Sequence, residues 1–260
     1  MKICLAQYDI KWEDKATNYE KAKGFMADAK LQNVDLILFP ELSMTGFSMD
    51  TEKIGESPGG LRTLETFRGF ALEFGMACGI GYVFLRNGGK AENRYAIISK
   101  DGSVISDYAK IHPFSNGGED AYYVGGDAIS ECMIDDVCVS TFICYDLRFP
   151  EIFQAASRKA KLITVAANWP AARKEHWVTL LKARAIENQC YIAGINRVGT
   201  GNGIAYSGDS MIVDPTGRVI AEAGNGEMLI EGEIDIEKVD RCRESFRIRD
   251  DRREDLYREL

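Results

Sequence analysis

The feature that most constrains the fold of this chain is an alternation of apolar, strand-like runs with helix-like segments, which occurs in both halves. The elements predicted for the first half are strand 3–8, helix 18–32, strand 34–39, helix 61–74, strand 77–85 and a hairpin of strands 94–99 and 103–108. Those predicted for the second half are strand 137–144, helix 152–160, strand 162–167, helix 177–188, strand 190–196 and the closing strands 210–213, 219–223 and 228–235. This pattern predicts an α/β layered fold in which two sheets pack face to face with helices outside.

The composition is typical of one large domain with an acidic surface. With 260 residues, 45% of them apolar, the chain can bury a substantial core, and we expect a single domain spanning 1–260. The net charge of −8 argues against a protein that binds nucleic acid or an anionic membrane. The charged segment 241–260 is interpreted either as a solvated helix or as an arm that reaches a partner subunit.

Cysteine and histidine usage limits metal and redox chemistry. The seven cysteines are scattered and form no C-x-x-C pair, so neither a disulfide framework nor a zinc site is indicated. The first apolar stretch is too short for a signal peptide, and no apolar run approaches the ~18 residues of a membrane span, so we expect a cytoplasmic protein. His112 and His176 alone cannot form a histidine-rich centre, and we predict no metal.

Cys144 stands at the end of a strand-like run, immediately before the sharp, charged turn that contains Tyr145. A thiol in this place is held by a rigid element, and the N–H groups of the turn and the following helix favour a thiolate. The alternative is a buried structural cysteine, because free cysteines are among the most buried residues. Residues elsewhere in the chain favour the nucleophile.

Two other strand ends carry charged side chains. Glu41 follows the apolar strand 34–39, with Pro40 stiffening the exit, and Lys110 follows strand 103–108. Each of them alone could be a solvated surface charge. Together with Cys144 they present an acid, an ammonium group and a thiol at strand ends, and the C-terminal edge of an α/β sheet is where such folds collect their sites.

This set of residues resembles the nitrilase superfamily of carbon–nitrogen hydrolases, which has a Glu-Lys-Cys triad. The matching motifs, in the family's order, are Leu38-Phe39-Pro40-Glu41, Lys110-Ile111-His112 and Ile143-Cys144-Tyr145-Asp146-Leu147-Arg148-Phe149-Pro150-Glu151, with further matches at Asn168-Trp169-Pro170 and Gly208-Asp209-Ser210. The resemblance covers the whole chain. It implies a four-layer αββα sandwich in which the strands after Gly208 complete the edge of the second sheet. It also implies a homodimer, with 241–260 as a possible dimerisation arm, and no cofactor.

The resemblance also implies a cysteine-dependent amidohydrolase that works through a thioester. Cys144 would attack the amide carbon, Glu41 would carry the proton, and Lys110 with the backbone N–H of Tyr145 would stabilise the oxyanion. Glu119, in the glycine-bearing loop 113–119, would help to position Glu41 and the substrate. The alternative for Glu119 is a solvated loop acid.

Histidine offers a second way to activate a thiol. His112 lies two residues from Lys110, and imidazole is the commoner activator, so a cysteine–histidine dyad is an alternative. The resemblance favours Lys110 and gives His112 a structural role, in which it holds the loop by hydrogen bonding. His176 is expected to cap or pack at the start of a helix.

The motifs flanking Cys144 and Asn168 look like the ω-amidase branch, which hydrolyses α-ketoglutaramate and related dicarboxylate monoamides. A free carboxylate needs a cation, and Arg173 is the first candidate because it follows the strand that ends near Asn168. Three aromatic residues are expected to line the pocket: Tyr122, Trp169 and Tyr206. Arg148, with Asp146 or Glu151 as possible partners, and Arg184 are assigned to the scaffold.

The substrate remains open between several classes. The alternatives to an ω-amidase are another short-chain aliphatic amidase or a carbamoylase, for which Arg173 would be dispensable, and, less favoured, a nitrilase. A non-catalytic protein that binds a metabolite is the alternative outside the enzymes. An intact nucleophile, base and cation favour the working enzyme.

Overall fold

The computed structural model of the protein describes residues 1–257 and 259, so positions 258 and 260 of the predicted arm 241–260 lie outside the described residues. The strands in chain order are β1 (Lys2–Gln7), β2 (Leu36–Leu38), β3 (Ala77–Phe84), β4 (Glu92–Ile98), β5 (Val104–Ala109), β6 (Glu131–Ile134), β7 (Val137–Ile143), β8 (Leu162–Ala167), β9 (Tyr191–Asn196), β10 (Val198–Gly201), β11 (Ile204–Ser207), β12 (Met211–Val213), β13 (Val219–Glu222) and β14 (Met228–Glu233). The helices are α1 (Lys15–Leu31), α2 (Thr51–Ile54), α3 (Arg62–Phe74), α4 (Pro150–Ala156), α5 (Lys174–Asn188), α6 (Ile236–Ser245) and α7 (Glu254–Tyr257). Within the described ranges, none of the helices has the length and apolar character needed to cross a membrane.

The strands form two six-stranded sheets and a separate hairpin of β10 and β11. The first sheet has the order β14-β1-β2-β3-β4-β5, and the second has the order β13-β12-β9-β8-β7-β6. The central strands β1-β2-β3 and β7-β8-β9 are parallel, whereas the outer strands are antiparallel. The prediction of an α/β sandwich of two sheets flanked by helices is confirmed.

Strand β1 shows how the layers arise from the sequence, because neighbouring strand residues point to opposite faces of a sheet. Ile3 and Leu5 belong to the core that contains residues of the second sheet, whereas Cys4 and Ala6 belong to the core under α1 and α3. All four are fully buried. A strand buried on both faces reads as a continuous apolar run, which is why this region was recognisable from sequence.

Helix α1 starts three residues earlier than the hydrophobic pattern indicates. The side chain of Asp14 caps it by accepting a hydrogen bond from the backbone N–H of Thr17 at 3.1 Å. At the end of α3, Gly75 adopts φ +61°, a left-handed conformation that glycine takes without steric cost. Both helices lead directly into strands of the first sheet, so their ends determine where β2 and β3 begin.

The last strand, β14, corrects the predicted sheet assignment. Strands β12 and β13 do extend the second sheet after Gly208, but β14 joins the first sheet, antiparallel to β1, with Lys2 opposite Glu233 and Gln7 opposite Met228. The Gln7 amide donates to the Gly224 carbonyl at 2.6 Å and so holds the crossing chain. The physical reason is that β1 would otherwise be an unpaired sheet edge, which β14 covers.

The described part of the C-terminal segment binds its own chain and is not merely solvated. Helix α6 leads into this segment with Val239 fully buried, and within 241–260 the Arg243 guanidinium donates to the carbonyls of Gln189 and Ala160, both at 3.1 Å. Arg249 donates to the carbonyl of Asn188 at 2.6 Å. These contacts tie the segment to the helix and loop ends of the second half.

Candidate active site

The structure brings together four side chains that the sequence singled out. Glu41 follows β2, Lys110 follows β5, Cys144 follows β7, and Glu119 comes from the loop after Lys110. The Lys110 ammonium group lies 3.0 Å from Glu41 Oε1 and 2.8 Å from Glu119 Oε2. Glu41, Lys110 and Glu119 form a buried ion cluster, since the two glutamates are 0% exposed and Lys110 is 1% exposed. We call Glu41, Lys110, Glu119 and Cys144 the buried cluster.

Two asparagines fix the Glu41 carboxylate. Asn168 donates its backbone N–H to Glu41 Oε2 at 2.8 Å and its side-chain amide to the Glu41 carbonyl at 2.6 Å. Asn93, on β4, donates one amide group to Glu41 Oε1 at 2.8 Å and to Glu119 Oε1 at 3.0 Å. Each carboxylate therefore has its orientation set by neutral donors as well as by the ammonium group.

A glycine allows Glu41 to approach β3. A Cβ atom on Gly81 would lie 3.0 Å from the backbone carbon of Glu41 and would also collide with the backbone nitrogen of Leu42. Ser43 holds the same turn, because its backbone N–H donates to the Gly81 carbonyl at 3.2 Å. The position of the acid thus depends on a close contact between two backbones.

Cys144 lies on a strained turn at the end of β7. Its φ is +46°, in the left-handed region that non-glycine residues rarely adopt, at a cost of about 1–3 kcal/mol. It is also the first residue of a short 3-10 helix, Cys144–Arg148. The sharp turn moves the thiol out of the sheet and toward the ends of the neighbouring strands.

Asp146, buried in this turn, connects the thiol to the Lys110 loop. Its carboxylate accepts hydrogen bonds from the backbone N–H groups of Ile143 at 3.1 Å and His112 at 3.0 Å, and from the Tyr108 hydroxyl at 2.8 Å. The His112 ring contacts the same carboxylate through Nδ1 at 2.8 Å and stacks on Phe149 at 3.7 Å. His112 therefore holds the loop, as the sequence predicts, and its ring is bound to Asp146.

The electrostatics of the cluster act on the thiol in opposite directions. Burial raises the pKa of the Cys144 thiol well above its ordinary value, and Glu41 raises it further, while Lys110 opposes both. The dry site and the nearby carboxylates therefore outweigh the ammonium group, which alone would favour a thiolate. Burial also raises the pKa of Glu119, against the opposing effect of Lys110. Burial alone would lower the pKa of Lys110, but Glu119 and Glu41 raise it well above its usual range.

Cys144 and Lys110 open onto a cavity of about 170 Å3. Its walls include Trp169, Tyr206 and Arg173, all of them residues that the sequence assigned to the pocket. Sites for drug-sized ligands have volumes of roughly 300–1,000 Å3, so this cavity suits a short-chain molecule.

Tyr122 does not belong to this cavity, and its predicted role as a pocket residue is wrong. Its side chain is 47% exposed and borders a separate shallow hollow with Met49 and Thr51. Tyr122 follows the short 3-10 helix Glu119–Ala121 in a helical backbone conformation, and its side chain lies on the outer side of this turn. The neighbouring Tyr123 is the inward residue, and its hydroxyl donates to the Ser48 carbonyl at 2.7 Å.

The structure separates the two arginines that the sequence assigned to the scaffold. Arg184 is buried, and its guanidinium donates to the Leu147 carbonyl at 2.8 Å and pairs with Glu187 at 2.9 Å, so it supports the turn after Cys144. Arg148 lines the cavity instead, with its guanidinium 4.8 Å from the Trp169 ring centre. The expected partner Asp146 is occupied by four groups from three other residues, and Arg148 lies in the cavity wall instead.

Several other residues of the site were not predicted from the sequence. Asn93 lies on an ordinary-looking strand and had no signal, whereas Asn168 stood in a recognised motif without an assigned role. Phe47 and Ile204 also line the cavity, the latter from the hairpin of β10 and β11. Within residues 1–257 and 259, no group of three or more His, Cys, Asp or Glu side chains is arranged to hold a metal ion.

Known proteins share both the sequence and the architecture of this chain. A sequence model of the carbon–nitrogen hydrolase family matches residues 2–244, a span that contains the buried cluster. The chain is 35% identical to the 2-oxoglutaramate amidase of Bacillus subtilis (strain 168) over 258 residues, which is 98% of each chain. It is 34% identical to the omega-amidase YafV of Yersinia enterocolitica over 250 residues, which is 95% of this chain and 94% of that one.

A solved structure matches as well. It is that of a CN-hydrolase superfamily protein from Xanthomonas campestris, which carries an arsenic adduct in its active site. The TM-score is 0.89 at 30% sequence identity, and 95% of each chain is covered. The sequence match and the structural match therefore extend over nearly the whole chain.

Proposed function

The chain belongs to the carbon–nitrogen hydrolase family, and from this premise we propose that it is an ω-amidase that hydrolyses the terminal amide of short dicarboxylate monoamides such as 2-oxoglutaramate. One observation carries the proposal: a single small cavity is lined by Cys144 and Lys110 of the buried cluster and by Arg173. No ion pair involves Arg173 among the described residues, so its charge is available to a substrate carboxylate.

In the first half-reaction, the Cys144 sulfur attacks the amide carbon. The thiol proton passes to Glu41 as the new carbon–sulfur bond forms, because the raised thiol pKa leaves little thiolate at rest. When the tetrahedral intermediate collapses, the carbon–nitrogen bond breaks and Glu41 returns the proton to the leaving nitrogen. The products of this step are ammonia and a thioester.

The oxyanion of each tetrahedral intermediate needs hydrogen-bond donors. We assign this role to the Lys110 ammonium group and the backbone N–H of Tyr145, which follows the nucleophile on the same turn. Lys110 is held by Glu41 and Glu119, so it is oriented before the substrate arrives. Losing one such donor typically costs roughly 3–4 kcal/mol of barrier.

In the second half-reaction, water attacks the thioester. Glu41 takes a proton from the water, the carbon–sulfur bond breaks, and the proton passes to the sulfur, which restores the thiol and releases the dicarboxylic acid. Glu119 acts as a positioning residue. Its carboxylate bonds Lys110 and accepts from the backbone N–H of Phe114 at 2.5 Å, which connects the loop at the cavity to the cluster.

The domain organisation, oligomeric state and cellular compartment of the enzyme are also part of the proposal. We assign the chain to one carbon–nitrogen hydrolase domain, acting as a homodimer in the cytoplasm, with 241–260 as the dimerisation arm. The seven cysteines, Cys144 among them, are free thiols, which fits a reducing compartment. Sedimentation or light scattering would compare the oligomeric state of the full chain with that of a chain ending at 240. The full chain should be a dimer, and loss of the dimer in the shorter chain would support 241–260 as the dimerisation arm.

The test of the proposed activity is ammonia release from 2-oxoglutaramate, succinamate, glutamine and butyramide. The wild-type enzyme should strongly prefer the first two, and Cys144→Ala should abolish turnover. Cys138→Ala is the matched control, because Cys138 is another partly buried cysteine, outside the cavity, and its replacement should preserve activity. Turnover of butyramide alone would indicate a neutral-amide hydrolase, and equal rates for wild type and Cys144→Ala would exclude the assigned nucleophile.

A further inference from the structure

We propose that Arg148 is a second substrate-binding guanidinium, so that the substrate carboxylate is held between Arg148 and Arg173. The inference rests on the proposed function and deepens it, because it names a residue that makes the site selective for anionic amides. Sequence reasoning had placed Arg148 in the scaffold.

The first argument is the position of Arg148. It is the last residue of the 3-10 helix whose first residue is Cys144, and its side chain lines the same cavity as the thiol. Its guanidinium lies 4.8 Å from the centre of the Trp169 ring and 5.9 Å from that of Tyr145. Aromatic faces hold the planar group while leaving its N–H donors, which lie at its edges, free to bind an anion.

The second argument is the lack of a carboxylate partner. Its one side-chain hydrogen bond in the described structure is donated to Nδ1 of the exposed His176, at 3.2 Å. A guanidinium has five N–H donors, so most of the binding capacity of Arg148 remains. Two arginines outside the cavity are paired by contrast: Arg184 with Glu187 at 2.9 Å and Arg197 with Asp9 at 2.9 Å.

The third argument is the charge of the cavity. Among the described residues that line it, there are three cations, Lys110, Arg148 and Arg173, and no Asp or Glu. Glu41 and Glu119, which do not line the cavity, already pair with Lys110, so the cations left without a carboxylate partner in the described walls are the two guanidinium groups. Such a cavity favours an anionic substrate over a neutral one.

Trp169 connects the two arginines. Its ring lies under Arg148, and its indole N–H donates to the backbone carbonyl of Arg173 at 2.8 Å. Arg173 has an aromatic support of its own, because its guanidinium lies 5.3 Å from the Phe114 ring centre. Both cations are therefore held on aromatic surfaces around one small cavity, and one carboxylate, which has two oxygens, can accept from both.

The experiment compares succinamate with butyramide, which has a methyl group in place of the carboxylate. In Arg148→Met, kcat/KM for succinamate should fall about 10- to 150-fold, mainly through KM, because a hydrogen bond to a charged group is lost. The value for butyramide should change less than about twofold, since its binding does not use the guanidinium. Arg148→Lys should recover part of the loss, because the charge remains without the planar fork.

The matched control is Arg62→Met. Arg62 also stacks on an aromatic ring, 5.8 Å from the centre of Tyr19, but it lies on α3 outside the cavity. This variant should match the wild type with both substrates. Succinate binding by calorimetry gives a second readout, and it should weaken in Arg148→Met but not in Arg62→Met.

Three outcomes would overturn the inference, and they are distinguishable. If the wild type does not prefer succinamate to butyramide, the proposed function fails and the inference fails with it. If the preference exists but Arg148→Met retains it, only the inference fails and Arg173 alone binds the carboxylate. If Arg148→Met loses both substrates equally, and Arg148→Lys restores both equally, Arg148 has a structural role.

Discussion

Replacing Lys110 by methionine tests the electrostatics of the buried cluster directly. Its ammonium group lies about 3 Å from both carboxylates, at 3.0 Å from Glu41 and 2.8 Å from Glu119. With an effective dielectric constant of 20, two unit charges at this separation attract by about 5.5 kcal/mol. The desolvation that Lys110 suffers offsets part of this attraction, so the net loss of unfolding free energy should be about 3–5 kcal/mol near pH 8.

The loss should depend on pH, with a defined sign. The folded-state pKa of Glu119 is already raised by burial, against the opposing effect of Lys110, so removing the cation raises it further. A carboxyl group with a raised folded pKa binds its proton more tightly in the folded state, and stability falls as pH rises from its ordinary pKa to the folded one. The slope is at most about 1.4 kcal/mol per pH unit for each group. Lys110→Met should therefore be most destabilised at pH 8 and recover toward pH 5.

Urea unfolding followed by circular dichroism at pH 5, 6, 7 and 8 measures this effect. Adding Glu119→Gln to Lys110→Met should restore stability at pH 8, since one uncompensated charge disappears. Lys15→Met is the control, because Lys15 also contacts a carboxylate, Glu56 at 2.7 Å, but its side chain is 26% exposed and its loss should be smaller. A loss that is equal at all pH values, and that Glu119→Gln leaves unchanged, would refute the charge argument.

Three further predictions concern the parts that hold the cluster. Alkylation of Cys144 by iodoacetamide, measured by mass spectrometry, should require a higher pH than alkylation of an ordinary thiol. Glu41→Gln should move the pH profile of alkylation to lower pH, because Glu41 raises the pKa of the thiol. An unchanged pH profile would contradict this. Gly81→Ala should lower kcat even at temperatures where the variant remains folded, because the new Cβ displaces Glu41. A wild-type kcat would show that the contact is harmless. Asp146→Asn should lower the unfolding free energy by roughly 2–4 kcal/mol, since one amide oxygen cannot replace both carboxylate oxygens; denaturant midpoints would reveal it, and a change below about 0.5 kcal/mol would argue against it.

Local patterns predicted most of the fold. The buried parallel strands, such as β2 and β8, are continuous apolar runs, and the hairpin of β4 and β5 is marked by the turn residues between them. The sheet to which β14 belongs could not be read in this way. Both sheets offered an edge, and the choice depends on pairing with β1 across more than 200 residues, which leaves no local pattern in the sequence.

The candidate site, like the fold, was predictable only where local sequence position carries the information. Glu41, Lys110 and Cys144 stand at strand ends, where sequence position indicates spatial proximity, and the structure brings them together. The hydrogen bonds of Asn93 and the position of the Arg148 guanidinium in the cavity wall depend on which partners are already occupied elsewhere. Asp146 illustrates this, because its bonds to His112 and Tyr108 remove the partner that sequence alone offered to Arg148.

The charges of the buried cluster determine when the thiol can lose its proton. The carboxylates of Glu41 and Glu119 face one ammonium group, so the cluster has an excess negative charge when both are ionised. A thiolate formed by releasing a proton to solvent would add another negative charge in a dry site, and this is why the pKa of Cys144 is raised. Transfer of the same proton to Glu41 leaves the total charge unchanged. In the proposed mechanism this transfer accompanies attack, when the new negative charge moves onto the substrate oxygen beside Lys110. A resting thiol with a carboxylate acceptor, rather than a preformed thiolate, is therefore the state that this cluster stabilises.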